Sequence, residues 1–267
     1  MPAAERPERT TTSRSALLRV AGAAALAGGR RTLEWFGRRI RPEIKPDGSP
    51  VTPADRASER EIRRVIQRSF PSHTIVGEEG GVTEGDPRIR WTIDPIDGTQ
   101  SFIRGVPLYA VLVAVVVDRT PVVGVLHLPA LGETIEAALG MGCRWNGRRA
   151  HVSSVNQLSE ATILTTSARA LHARGISIER IATSVGTQRG WGDAYGHGLV
   201  ATGRADVMID PGLKIWDVSP LFPILREAGG QLTDWKGGHS LVATDFVSSN
   251  GRLHASALRL LREARTS

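Results

Sequence analysis

Residues 91–102 read WTIDPIDGTQSF, and the six residues DPIDGT at 94–99 decide how the rest of the chain is read. The strand-forming run ending at Ile93 leads into Asp94 and Asp97, which flank a rigid Pro-Ile pair and run into Gly98-Thr99. Two carboxylates in one turn repel each other. Capping a helix N-terminus accounts for one of them, not both. Hard divalent cations such as Mg²⁺ take carboxylate and carbonyl oxygens, and no Cys/His cluster offers a zinc site. Gly98 and Thr99 would place their amides at a helix start, where an anion can sit. Carboxylates, a divalent metal and an anion seat together point to phosphate-ester chemistry, with two ions able to activate a water and stabilise a leaving oxygen.

Other acids stand in similar company. Glu78 and Glu79 follow the short strand HTIVG at a glycine-bounded turn, and Asp217 follows Trp216 at a helix start. Asp55 lies in the first turn of a helix whose N-cap is Thr52, with Pro53 at N1; capping and catalysis both explain it. Other phosphate chemistries fit less well. The chain has no G-x-x-x-x-G-K-[ST] loop and no G-x-S-x-G elbow. A covalent aspartyl phosphate would want Asp-x-Asp, one residue shorter than Asp94-x-x-Asp97, and stays a weak alternative.

The 267 residues suffice for one large or two modest domains, and 40% hydrophobic with 23% charged residues is ordinary for a soluble protein. A single cysteine, Cys143, excludes an internal disulfide framework and suits a reducing cytoplasm. The net charge of +7 comes mostly from arginine, with lysine only at 45, 214 and 236. These bases are scattered, which suits anionic small molecules better than nucleic acid.

Residues 1–14 read as a tail. The following SALLRVAGAAALAGG is interrupted by Arg19 and too short to span a bilayer, so it reads as the first helix, within 15–38. The second helix should bury Ile62, Val65, Ile66 and Phe70. A hairpin over 108–128 turns at Asp118-Arg119, and a boundary falls near 152. Beyond it come strands at ATILTTS, DVMID and QLTDW, a glycine-rich stretch RGWGDAYGHGL, and a helix WDVSPLFPILREAGG closed by Gly229-Gly230. An α+β half over 15–152 beside an α/β half over 153–267 is expected.

GEE at 77–79, WTIDPIDGT at 91–99 and WD at 216–217, in this order and spacing, resemble the inositol monophosphatase superfamily over residues 16–258. The resemblance implies a layered αβαβα sandwich and, usually, a homodimer. It implies two or three Mg²⁺ ions per site, with inhibition by Li⁺. Glu78, Asp94 and the Ile96 carbonyl would hold one ion, and Asp94, Asp97 and Asp217 the second. Asp55 and Thr99 would polarise the attacking water, with Glu78 also counted among the catalytic groups, and Gly98 and Thr99 would bind phosphate. Pro220 departs from the small residues common after the Trp-Asp pair.

Within the superfamily, DGSPVTPAD, FIRGVPLYAVL and GWGDAYGHGLVATGRADVMIDP resemble the histidinol-phosphate phosphatase branch. Asp193 puts a carboxylate where a neutral polyol would not need one. Asp210, expected in the loop before Trp216, would contact the non-phosphate part of the substrate, as would Ala194, Asp97 and Asp217. Two acids there suit an amine-bearing phosphate ester, although Asp193 also reads as a brace for its glycine-rich loop. The alternatives are an inositol, sugar or nucleotide phosphatase, and, in a different class, a non-catalytic RNA- or transcription-associated regulator.

Overall fold

A computed structural model describes residues 12–266 of the chain. The expected tail falls mostly on residues 1–11, outside this range. Ser13 accepts the Ala16 N–H and caps α1 (Arg14–Leu33), which ends earlier than expected. A small pair, β1 (Glu43–Ile44) with β2 (Pro50–Val51), precedes α2 (Pro53–Ser69). Next come β3 (His73–Gly77), β4 (Gly81–Thr83) and β5 (Asp86–Asp97), then the single-turn helix α3 (Thr99–Phe102). The expected hairpin is β6 (Ala110–Val117) and β7 (Thr120–Leu128), extended by β8 (Glu133–Ala138), β9 (Gly142–Trp145) and β10 (Arg148–Arg149).

A second series begins with β11 (Thr162–Thr165), α4 (Ala168–His172), α5 (Ile178–Thr183) and β12 (Thr187–Arg189). It continues with α6 (Asp193–Ala201), β13 (Val207–Pro211), α7 (Ile215–Val218) and α8 (Leu221–Ala228). It closes with β14 (Gln231–Asp234), β15 (Asp245–Ser249) and α9 (His254–Glu263). Strands β3 to β10 form an eight-stranded sheet in the order β10-β9-β8-β7-β6-β5-β3-β4. Strands β11 to β15 form a five-stranded sheet, β12-β11-β13-β15-β14.

The layers follow from which faces are apolar. Small residues of α1, such as Ala21, Ala24 and Ala25, pack with Ile62 and Ile66 of α2 on one face of the large sheet. Its other face meets α6, α8 and the small sheet in one core holding Leu112, Leu126, Leu164, Met208 and Phe246. Leu171, Ile181 and Leu260 of α4, α5 and α9 cover the far side of the small sheet. The result is the αβαβα sandwich. Strand membership changes sheets between Arg149 and Thr162, but the middle core draws on both halves of the chain.

Two elements differ from expectation. The glycine-rich stretch forms the helix α6, because glycine here permits close approach: a Cβ on Gly198 would sit 2.9 Å from Ile135, and one on Gly196 would meet Met208. Packing outweighs weak helix propensity. The helix expected from Trp216 onward is two helices, broken at Ser219-Pro220, since Pro220 lacks an N–H and would crowd the carbonyl one turn back.

That break lies against β7, where a Cβ on Gly124 would land on the Pro220 carbonyl oxygen. Gly124→Ala must push the backbone of one layer off the other. A loss of about 1–3 kcal/mol is expected in denaturant unfolding, from overpacking; wild-type stability in this variant would contradict the close contact.

Candidate active site

The site is built on an irregularity in β5. This strand is interior, paired to β6 on one side and β3 on the other, where a proline is ordinarily excluded. Pairing passes from Asp94↔Leu112 to Asp97↔Ala110, so Pro95 and Ile96 together oppose Val111 alone. The extra residue makes a β-bulge, which tolerates proline and turns the strand out of plane. Asp94 Oδ1 accepts the Ile96 N–H at 2.9 Å. The Ile96 carbonyl accepts the Thr99 hydroxyl at 3.1 Å. Gly98 then adopts φ +83°, and a Cβ there would lie 3.1 Å from both Asp193 Oδ2 and the Leu108 carbonyl. Only glycine fits both constraints.

Asp94, Asp97 and Asp217 converge from β5 and α7, each with a carboxylate oxygen within 4.8 Å of the others. Burial, then the charges of Glu78, Asp217 and Asp97, pushes Asp94 well above the usual carboxylate range. Burial, then Asp193 and Asp217, does the same to Asp97, although the Ala194 N–H donates to it at 2.6 Å. Burial lifts Asp217 to about 7. An oxygen-only cluster this crowded fits a hard divalent cation, which would relieve the repulsion.

Glu78 approaches closely enough to raise Asp94 and Asp217, yet it is not in the three-carboxylate group. Its Oε1 accepts from Lys45 Nζ at 2.5 Å, and Glu79 Oε1 accepts from the same ammonium at 2.8 Å. Burial works against the Lys45 charge, but these two bonds hold its pKa above the ordinary lysine value.

Asp55 and Thr99, expected as a pair, are not hydrogen-bonded to each other. Asp55 Oδ2 accepts the Thr52 N–H at 2.8 Å and the Thr52 hydroxyl at 2.6 Å. Asp217 repeats the pattern, taking the Lys214 N–H at 2.8 Å. Each acid caps its helix with one oxygen, so capping and a role in the site are compatible. Burial raises Asp55 to about 7.

Asp193 opens α6 with φ +54°, a conformation that strains a non-glycine residue, and its N–H is held by the Thr166 hydroxyl at 2.9 Å. Its carboxylate faces Gly98 and Asp97. Burial, then Asp210, raises it to about 7. Asp210 is placed differently from expectation. It lies on β13, not in a loop; it is 2% exposed, meets His197 Nε2 at 3.3 Å, and its charge is felt by Asp193, Asp97 and Asp217.

Three contributors lay outside the sequence reading: Lys45, Thr166 and Glu59. The Glu59 carboxylate accepts the N–H groups of Glu79 and Gly80 at 2.8 and 2.9 Å and pairs with Arg63 at 2.7 Å, which ties the Glu78 turn to α2. Its place four residues after Asp55 was the available signal, because i and i+4 share a helix face.

The family model described as the inositol monophosphatase family matches residues 13–266. The chain belongs to this family. It is 41% identical over 229 residues to a histidinol-phosphatase of Chlorobaculum parvum, covering 84% of this chain and 88% of that one. It is 34% identical to the Nus factor SuhB of Pasteurella multocida, covering 92% and 93%. Among solved structures, the suhB protein of Bartonella henselae superposes with TM-score 0.88 at 29% identity, over 93% of this chain and 99% of that one. A Thermotoga maritima IMPase gives 0.86 at 31%, over 93% and 97%. The chain is thus a phosphatase of the inositol monophosphatase family, and its acidic cluster stands where β5 and α7 meet.

A raised carboxylate pKa favours the folded state while the group holds its proton. For Asp217 that contribution is complete below the ordinary value of 3.8 and lost as pH rises through about 7. In EDTA, Tm should therefore fall as pH climbs through this window, and added Mg²⁺ should raise Tm most at its upper end. A Mg²⁺ effect independent of pH would contradict the coupling.

Proposed function

We propose that the chain is a Mg²⁺-dependent histidinol-phosphate phosphatase, hydrolysing histidinol phosphate to histidinol and phosphate. The observation that carries the substrate is Asp193, whose carboxylate lies beside Asp97 and Gly98 while its backbone N–H donates to the Thr166 hydroxyl. An ammonium group near the phosphate ester would pair with it and draw it into its charged form. A neutral polyol offers no such partner. Relatives named histidinol-phosphatase in Mycobacterium tuberculosis and Streptomyces coelicolor, 39% and 36% identical, support the same assignment.

Asp94, Asp97, Asp217, Glu78 and the Ile96 carbonyl would hold the ions, which supply positive charge to the phosphate oxygens and the leaving group. Gly98 and Thr99 would present amides to the phosphate. Asp55, with a pKa near 7, is suited to take a proton from an attacking water, and Thr99 would orient that water. Release of Glu78 from Lys45 would accompany loading of the ions. A homodimer, Li⁺ sensitivity and a cytoplasmic location belong to the same reading.

A second reading, a broader inositol or fructose phosphatase, is favoured by a fructose-1,6-bisphosphatase/inositol-1-monophosphatase of Aquifex aeolicus, 34% identical over 253 residues. Retention of every expected acidic ligand speaks against a purely regulatory protein.

Asp217→Asn should abolish turnover of every substrate. Asp193→Ser should raise KM for histidinol phosphate by roughly tenfold or more, the worth of one charge-assisted hydrogen bond, and leave inositol 1-phosphate nearly unchanged. Equal effects on both would remove Asp193 from substrate choice. A wild-type preference for inositol 1-phosphate would favour the second reading.

A further inference from the structure

We propose that a basic cleft adjoining the acidic centre is a second binding site, for a small phosphate-bearing molecule with an apolar body. Two chambers of about 450 and 530 Å³ share Arg119, His239 and Leu241 in their walls. The first adds Arg226 and Phe222, the second Arg90 and Thr92. No Asp or Glu among the described residues lines either chamber. Among the described residues, none of these three arginines has an ion-pair partner. Three guanidinium groups without counter-charge around one cleft attract an anion, and arginine's planar fork matches a phosphate group.

Two further observations point to a ligand. Arg119 occupies the turn between β6 and β7 with φ +68°, after Asp118 at +46°. Turns of this kind favour Asn-Gly, so Arg119 stands on the cleft at a cost in backbone strain. Thr92 stands in the wall of the second chamber, is 1% exposed, and among the described residues its buried Oγ1 has no hydrogen-bond partner. The apolar part of a ligand would lie against Phe222 and Leu241 in the first chamber, with its phosphate toward Arg119 and Arg90.

The cleft is coupled to the chemistry by shared elements. Arg90, Thr92 and Asp94 alternate onto one face of β5, and Ile215 lines the cleft two residues before Asp217. Occupancy would thus be felt by the two elements that carry the candidate metal ligands.

Charge separates the two sites experimentally. Without divalent cations the acidic centre repels phosphate, so binding measured in EDTA reports the basic cleft. Inorganic phosphate, titrated calorimetrically into the full chain in EDTA, should bind saturably, and Asp217→Asn should leave that binding intact. Arg119→Gly should weaken it by roughly tenfold, and the Arg90→Ala/Arg119→Gly double variant by more, as expected for lost charge-assisted bonds. Because glycine relieves the turn, Arg119→Gly should also raise Tm, which separates lost binding from lost folding. No saturable binding, or equal affinity in wild type and both arginine variants, would overturn the proposal.

Discussion

Carboxylates that share a poorly solvated volume cannot all ionise without a cation, and the architecture around this site follows from that constraint. The oxygens of Asp94, Asp97 and Asp217 fall within 4.8 Å of one another. Glu78, Asp193 and Asp210 add charge from the periphery. The chain restrains these groups with single donors: the Lys45 ammonium at Glu78, the Ala194 N–H at Asp97 and the Lys214 N–H at Asp217. Each restraint fixes an oxygen and leaves the cluster short of positive charge. That deficit suits the site to hard cations, which in the proposed reading would draw in a phosphate ester.

The scaffold places these groups by breaking regularity at a few points. The bulge at Pro95-Ile96 lets two acids of one strand serve the same side. Gly98 turns the chain into α3 close against Asp193, and the interruption at Pro220 sets α7 apart from α8 so that Asp217 sits in a short helix near β5. Glu59 clamps the Glu78 turn onto the helix that also carries Asp55. The opposite electrostatic character of the adjoining cleft extends the pattern, since Arg90 shares β5 with Asp94.

Much of this was legible in the sequence where a residue's chemistry is local. Thr52, Pro53 and Asp55 announced a helix start, and the structure shows the reciprocal capping bonds. The paired acids of DPIDGT suggested a metal by themselves, whereas Asp217 joined them through the family resemblance; the structure brings the three together. What escaped the sequence depends on distant packing. The RGWGDAYGHGL stretch has weak helix propensity, and its helix exists because Gly196 and Gly198 fit against Met208 and Ile135. Asp210 was expected in the loop before Trp216; pairing with Phe246 keeps it on β13, where it meets His197. Lys45 meets Glu78 across 33 positions of chain, a contact no local pattern encodes.

Proton release on metal binding tests the central claim most directly. If crowding keeps the acidic cluster partly protonated near neutral pH, an arriving Mg²⁺ must displace those protons. Calorimetric titration of Mg²⁺ near pH 6.5, repeated in buffers of different ionisation enthalpy, counts them. The account predicts release of about one proton or more per site, diminishing as pH rises above the Asp217 value of about 7. Mg²⁺ binding with no proton release at any pH would contradict it.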